Sequence, residues 1–166
     1  MATVHNYSIT STCILFLIIA MPPKIMFLCT GNSCRSQMAE GWARALHGNQ
    51  FEVYSAGIEK HGLNPYAVQV MKEAGVDISN HSSQKVEELP TKEFDLVITV
   101  CGHANETCPL FTGKTVIIHH GFDDPPKLAK EAKTQEEAIG HYRRVCQEIK
   151  TFAATLPSFF REQTLS

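Results

Sequence analysis

Four short runs of apolar or alternating residues divide the chain, and each is rich in the side chains that favour β-strands. They predict buried or half-buried strands over residues 24–29, 51–57, 94–101 and 115–120. The intervals between these runs carry apolar residues at helical spacing. Alternating strands and helices predict a parallel sheet flanked by helices, because parallel strands need long crossover connections.

Helix boundaries are marked by the residue types that commonly cap them. A first helix is predicted over 36–47, with Gly48 as its stop. A second begins with Asn64 as its N-cap and Pro65 in the first turn, and it ends at Gly75.

The last predicted helix, over 134–156, opens with a capping box of Thr134 and Glu137. Its apolar stripe should face the core and comprises Ile139, Tyr142, Cys146, Ile149, Ala153 and Leu156. Because Cys146 belongs to this stripe, we interpret it as a packing residue.

The chain length fits one three-layer α/β domain with a four-stranded parallel sheet, which we place at residues 22–166. Residues 1–21 are predicted to be an N-terminal extension outside the fold. The apolar run at 13–21 is too short to span a bilayer, and residues 1–20 contain no Lys or Arg. A weak export signal is the alternative interpretation.

Composition excludes several classes of function. A formal charge of -2 over 166 residues leaves no basic field for nucleic acid, and no apolar segment is long enough to cross a membrane. No zinc, nicotinamide or flavin motif occurs, so we expect no metal and no cofactor. Six cysteines in a chain with a full core indicate catalytic or buried thiols of a cytoplasmic protein rather than a disulfide framework.

Candidate chemistry lies at the carboxyl ends of the predicted strands, where parallel sheets bind ligands. Cys29, Cys101 and the loop after His120 all occupy such positions. The loop after the first strand is built from small residues, whose backbone N–H groups can turn inward around an oxyanion at a helix N-terminus. The predicted oxyanion-binding residues are Thr30, Gly31, Asn32, Ser33, Cys34, Arg35 and Ser36.

Cys29 is the predicted nucleophile of this loop. The helix N-terminus and the Arg35 guanidinium are expected to lower the pKa of its thiol. Arg35 supplies a two-pronged donor for a tetrahedral oxyanion, and Cys34 is interpreted as supporting structure. A displacement also needs an acid, and Asp124, immediately before a proline, is better placed for that role than Asp123.

The chain resembles thioredoxin-coupled arsenate reductases, which are built on the low-molecular-weight protein tyrosine phosphatase fold. The resemblance covers about residues 24–155 and rests on the stretches FLCTGNSCRSQMAEGWA, VYSAGIEKHGLNP, VMKEAGVDISNHSS, TVCGHANETCP and HGFDDP. It implies reduction of arsenate to arsenite, with thioredoxin as the partner that regenerates the enzyme. It also implies that Cys29 is the nucleophile, Arg35 an oxyanion ligand, Asp124 the acid, and Cys101 and Cys108 a redox pair.

One position departs from this family's pattern. Members can bind a potassium ion through Asn, Glu, Ser and Asp side chains. Asn32, Glu40 and Ser55 match, but Gln84 stands where the Asp would be. Because a hard cation prefers a carboxylate, a weakened potassium site is expected.

Two other functions are compatible with part of the pattern. A low-molecular-weight protein tyrosine phosphatase would need only the loop, Cys29 and Asp124. However, that function leaves Cys101 and Cys108 unexplained, and no tyrosines follow Asp124 to flank a phenyl ring. A non-enzymatic oxyanion-binding or thiol-sensing module would need neither the acid nor the redox pair.

Overall fold

Four parallel strands form the central sheet, in the spatial order β2-β1-β3-β4. The computed structural model describes residues 21–111 and 113–164. The strands are β1 (Lys24–Cys29), β2 (Glu52–Gly57), β3 (Leu96–Thr99) and β4 (Val116–His119). All four predicted strands are confirmed, although β3 is shorter than the predicted run because Cys101 already caps the helix that follows it.

Six helices connect and flank the strands within the described ranges. They are α1 (Arg35–His47), α2 (Pro65–Glu73), α3 (Gly102–Glu106), α4 (Pro125–Ala129), α5 (Gln135–Ala154) and α6 (Leu156–Thr164), and a single 3₁₀ turn spans Val86–Glu88. The three predicted helices correspond to α1, α2 and α5. The predicted 134–156 helix ends earlier, and a separate helix begins at Leu156, followed by Pro157, which has no N–H to continue a helical ladder.

Three of the predicted caps form as expected, and the fourth, the capping box, forms in part. The Asn64 side chain accepts hydrogen bonds from the first turn of α2, and Gly75 takes the left-handed backbone that ends it, at φ 93°. Thr134 accepts from the N–H of Glu137 at 3.1 Å, but the Glu137 carboxylate reaches the N–H of Lys133 instead of Thr134. Gly48 follows the last residue of α1 as its cap, with a right-handed backbone, so its predicted role as the stop of this helix is confirmed.

The two faces of the sheet are covered by different elements. Ser55 is level with Phe27 in the strand register, whereas Thr99 is level with Leu28, so these two polar residues point to opposite faces. Ser55 bonds to Glu40 of α1, and Thr99 bonds to Asn105 of α3. Helices therefore cover both faces, which confirms the three-layer α/β architecture.

The stripe predicted on the last helix packs into the core beneath α1. All six of its members are buried. Cys146 accepts a hydrogen bond from the Trp42 indole N–H at 3.5 Å and contacts the Met71 sulfur at the same distance. The packing role predicted for Cys146 is confirmed.

The candidate catalytic residues lie at one edge of the sheet, where the carboxyl ends of the strands meet. Cys29 ends β1, Cys101 follows β3, and the segment after His119 leads to α4. No helix in the described part of the chain combines the length and apolarity needed to cross a bilayer. Residues 1–20, which hold most of the predicted extension and the alternative export signal, lie outside the described residues, so both interpretations stay predictions.

Candidate active site

The loop between β1 and α1 is organised around one buried asparagine. Asn32 has a positive φ of 45°, a conformation that asparagine tolerates better than most residues. Its side-chain oxygen accepts from Gln37 Nε2 at 2.9 Å and from the Gln84 N–H at 2.8 Å. Its amide nitrogen donates to Ser36 Oγ at 3.0 Å and Ser55 Oγ at 2.8 Å. With every polar atom engaged, this side chain holds the loop in an otherwise strained shape.

The Cys29 thiol lies inside this loop and is 5% exposed. The Asn32 N–H donates to its sulfur at 3.1 Å, and Ser36 Oγ lies 2.9 Å away. Burial raises the pKa of Cys29, the negative charge of a neighbouring Cys101 thiolate raises it further, and the hydrogen bonds from Ser36 and Asn32 lower it. The pKa of Cys29 is raised overall, so the predicted lowering is wrong, because desolvation is the largest contribution.

The Arg35 side chain extends from the loop and contacts the segment after β4. Its Nη1 donates to the Phe122 carbonyl at 3.1 Å, and its Nη2 lies 3.3 Å from Asp124 Oδ1. Asp124 precedes α4 but makes no side-chain cap, so its carboxylate is available to the site. Asp123 points away and pairs with Arg144 at 2.7 Å on the surface.

These groups line one cavity of about 340 Å³ at the carboxyl edge of the sheet. Its walls are Cys29, Thr30, Gly31, Ser33, Cys34, Arg35, His61, Asn64, Asp124 and Pro126. The structure thus brings the predicted nucleophile, arginine and acid together with most of the predicted oxyanion loop. Burial raises the pKa of the Cys34 thiol, which keeps it protonated.

Cys101 lies beside the loop at the end of the neighbouring strand. It is 4% exposed, and its sulfur is 3.3 Å from Thr30 Oγ1. Cys108 lies beyond α3, is half-buried against the core, and has a pKa that burial raises. Each of the five cysteines in the described residues is a free thiol.

His61, Asn64 and Pro126 are cavity residues that the sequence analysis missed. His61 and Asn64 belong to the segment between β2 and α2, which joins the site through backbone bonds to the loop after β1. Ile58, Glu59 and His61 donate in turn to the carbonyls of Cys29, Thr30 and Gly31, at 3.1, 2.7 and 3.0 Å. Backbone bonds of this kind leave no signal in residue types.

The residues implied for a potassium site do not fit a cation. Ser55 Oγ donates to Glu40 Oε2 at 2.5 Å, and Arg44 pairs with the other oxygen of Glu40 at 2.7 Å. Gln84 Nε2 donates to the Ser55 carbonyl at 3.2 Å. The Glu40 carboxylate and the Ser55 carbonyl therefore already accept hydrogen bonds from side chains of the protein. These oxygens are not available as potassium ligands. The described residues also hold no cluster of three His, Cys, Asp or Glu side chains suited to a metal ion.

The site combines a buried thiol, backbone and arginine hydrogen-bond donors, and a carboxyl group at the edge of a parallel sheet. This combination is typical of α/β enzymes whose cysteine attacks a tetrahedral oxyanion. The chain belongs to the low molecular weight phosphotyrosine protein phosphatase family, whose model matches residues 24–164.

Curated relatives and solved structures agree with this family. The chain is 52% identical to an arsenate reductase of Halalkalibacterium halodurans and 51% identical to one of Bacillus subtilis; each match covers 79% of this chain and 95% of the relative. A solved arsenate reductase in the oxidized state matches with a TM-score of 0.67 and 29% identity, over 82% of this chain and 98% of that one. The resemblance expected from the motifs is confirmed.

Proposed function

We propose that this protein is an arsenate reductase that uses Cys29, Cys101 and Cys108 in sequence. The observation that carries the proposal is the pair of buried free thiols at adjacent strand ends, with Thr30 Oγ1 3.3 Å from the Cys101 sulfur. Hydrolysis of a phosphate ester does not require a second thiol beside the nucleophile, whereas reduction of arsenate does. The curated arsenate reductases at about half identity support the same reaction.

In the first step the Cys29 sulfur attacks arsenic, and an arsenic–oxygen bond breaks. Arg35 and the loop N–H groups hold the remaining oxygens, where charge accumulates. Asp124 gives the departing oxygen a proton, so that it leaves as water or hydroxide. Arsenic remains pentavalent and is attached to Cys29.

In the second step the Cys101 thiolate attacks the Cys29 sulfur. The sulfur–arsenic bond breaks, its electron pair stays on arsenic, and trivalent arsenite leaves. The two sulfurs are oxidised together to a Cys29–Cys101 disulfide. Cys108 then attacks Cys101 and transfers the bond to Cys101–Cys108, away from the cavity.

Regeneration requires an external dithiol, for which we propose thioredoxin. The Cys101–Cys108 disulfide would be reduced there by thiol–disulfide exchange. A reducing compartment keeps all the free thiols of this site available, and we therefore propose the cytoplasm as its location. We also keep residues 22–166 as the catalytic domain and residues 1–21 as an extension.

The test is a turnover assay with arsenate, thioredoxin, thioredoxin reductase and its reductant. We expect catalytic arsenite production by the wild type and none by Cys29→Ser, because a hydroxyl without a base is a poor nucleophile. A Cys146→Ser variant controls for the loss of a buried thiol outside the cavity. Absence of arsenite from the wild type, or normal turnover by Cys29→Ser, would contradict the proposal.

The phosphatase alternative rests on the family itself and on the Cys29, Arg35 and Asp124 constellation. The same preparation should be assayed with an aryl phosphate. Efficient hydrolysis without arsenate reduction would favour that function. The described residues of the cavity wall include no phenyl or indole ring to stack on an aryl group, which favours a small inorganic oxyanion.

A further inference from the structure

The proposed reduction consumes two protons in addition to those of the two thiols, and only one side chain has been assigned as an acid so far. Conversion of one arsenate dianion and two thiols to arsenous acid, a disulfide and water takes up two further protons. Arsenic gains the two electrons that the two sulfurs lose, and one arsenic–oxygen bond breaks to give the water. Asp124 accounts for one of the two protons, and the other comes from solvent or from a second side chain on the cavity wall.

The cavity wall offers one further side chain that can carry a transferable proton. Arg35 stays charged, and burial raises the pKa of Cys34 so that its proton is retained. The remaining titratable group on the wall is the imidazole of His61. Imidazole is also the side chain whose charge ordinarily changes between pH 5 and 8.

His61 is fixed against the oxyanion loop. Its N–H donates to the Gly31 carbonyl at 3.0 Å, and its ring covers the Cα of Gly31. A Cβ at position 31 would lie 2.2 Å from His61 Nδ1, so the ring requires the glycine beneath it. The His61 Nδ1 atom is therefore packed against Gly31, which is itself a residue of the cavity wall.

The other ring nitrogen is oriented by a carboxylate. His61 Nε2 lies 2.7 Å from Glu59 Oε2, and because a carboxylate only accepts, Nε2 carries the hydrogen. In the neutral imidazole the nitrogen without a hydrogen is therefore Nδ1. The pair is open to solvent, since the His61 side chain is 52% exposed, and can recover its proton between turnovers.

We propose that His61, oriented by Glu59, is a catalytic residue that delivers the second proton to the arsenic oxygens. The inference rests on the proposed arsenate reductase function. The His61 side chain lines the cavity on the side of Gly31, whereas Asp124 lies on the side of Arg35 and α4. The charged groups around His61 are Glu59 on its own segment and, around the cavity, Arg35 and Asp124.

The experiment measures arsenite formed in a single turnover by the fully reduced full-length protein, without thioredoxin, across a pH series. His61→Gln keeps a side chain over Gly31 and a donor to Glu59, but it does not titrate. We expect its rate to fall roughly 10²-fold, the lower end for loss of a general acid, and the histidine limb of the pH profile to disappear. Glu59→Gln should lower the rate less and shift that limb.

His47→Gln is the matched control, because His47 bonds the Ala153 carbonyl at 3.0 Å outside the cavity. Its rate and pH profile should equal those of the wild type. The alkylation rate of Cys29 should be unchanged in His61→Gln, which shows that the loop is intact. A His61→Gln variant with the wild-type pH profile, whether slowed or not, overturns the inference. A wild type that forms no arsenite overturns the proposed function instead.

Discussion

At the scale of single residues, two adjacent aspartates have different surroundings. Asp124 Oδ1 is 3.3 Å from Arg35 in the cavity, whereas Asp123 pairs with Arg144 on the surface. We expect Asp124→Asn to lower the single-turnover rate of arsenite formation roughly 10²–10⁴-fold, because the amide cannot protonate the departing oxygen. Asp123→Asn should leave it nearly unchanged, since exposed ion pairs contribute little. The opposite ranking would assign the acid role to Asp123.

The Ser36 hydroxyl favours the thiolate form of the nucleophile. Its oxygen accepts from Asn32 Nδ2 at 3.0 Å and lies 2.9 Å from the Cys29 sulfur, so its own proton can point at a thiolate. Removing that donor disfavours the thiolate, and Ser36→Ala should therefore raise the pKa of Cys29.

The pH dependence of Cys29 alkylation by iodoacetamide measures this effect. Because the thiolate reacts, the rate rises with pH, and the Ser36→Ala curve should lie at higher pH than the wild-type curve. Ser158→Ala removes a surface hydroxyl on α6 and should leave the curve in place. A Ser36→Ala curve that is unshifted or lies at lower pH would show that Ser36 does not stabilise the thiolate.

Residue types and spacing predict only those parts of the site that lie close together in the sequence. Cys29 and Arg35 share one loop, and their spacing suffices to place them together. His61 is held in the site by a backbone hydrogen bond to Gly31, and such a bond cannot be predicted from residue types. The sign of the pKa shift at Cys29 was missed for a related reason, since burial depends on the packing of the whole domain.

At the scale of elements, the segment from Cys101 to Cys108 must change conformation if the proposed relay operates. The structure has a helix over Gly102–Glu106, with the Asn105 N–H bonded to the Cys101 carbonyl at 3.2 Å. The five-residue helix alone rises about 7.5 Å, and Cys101 and Cys108 lie beyond its two ends. A disulfide needs Cα atoms about 5.5–6 Å apart. The short helix should therefore unwind on oxidation.

Mass spectrometry of trapped intermediates tests this relay. Reduced wild type given arsenate without thioredoxin should accumulate a Cys101–Cys108 bridge after one turnover. Cys108→Ala should accumulate Cys29–Cys101 instead, because the resolving thiol is missing. Cys146→Ala serves as the control and should retain the wild-type Cys101–Cys108 bridge, because Cys146 packs outside the cavity. Continued arsenite production with neither bridge present would remove the relay.

Element lengths explain which helices the sequence revealed. Helix α5 runs from Gln135 to Ala154, long enough for its apolar stripe to repeat several times. Helices α3 and α4 have five residues each, which is too few for any periodicity. Their formation depends on tertiary contacts, such as the bond from Thr99 Oγ1 to Asn105 Oδ1 at 3.3 Å.

At the scale of the whole molecule, the chain should be stable without potassium. The Ser55 carbonyl accepts from Gln84, and Glu40 is paired with Arg44. The wild-type Tm should be equal in potassium and sodium chloride of the same ionic strength. Gln84→Asp supplies a carboxylate and should raise the Tm in potassium relative to sodium by roughly 2–4 °C for each kcal/mol of binding.

Asn80→Asp is the matched control, since it adds a carboxylate nearby without replacing the Gln84 amide. It should show no difference between the two salts. A wild-type Tm that rises specifically in potassium would mean that the Gln84 amide does not exclude the cation.

The strand order has a consequence for how the protein is made. Strand β1, with the nucleophile at its end, is synthesised first but lies between β2 and β3. Its backbone partners emerge from the ribosome later, and Asp124 emerges after all four strands. During translation the nascent chain therefore carries an accessible thiol without the loop geometry or the acid that belong to it. The enzyme should therefore become active only late in synthesis, and until then Cys29 stays reduced only if its surroundings are reducing.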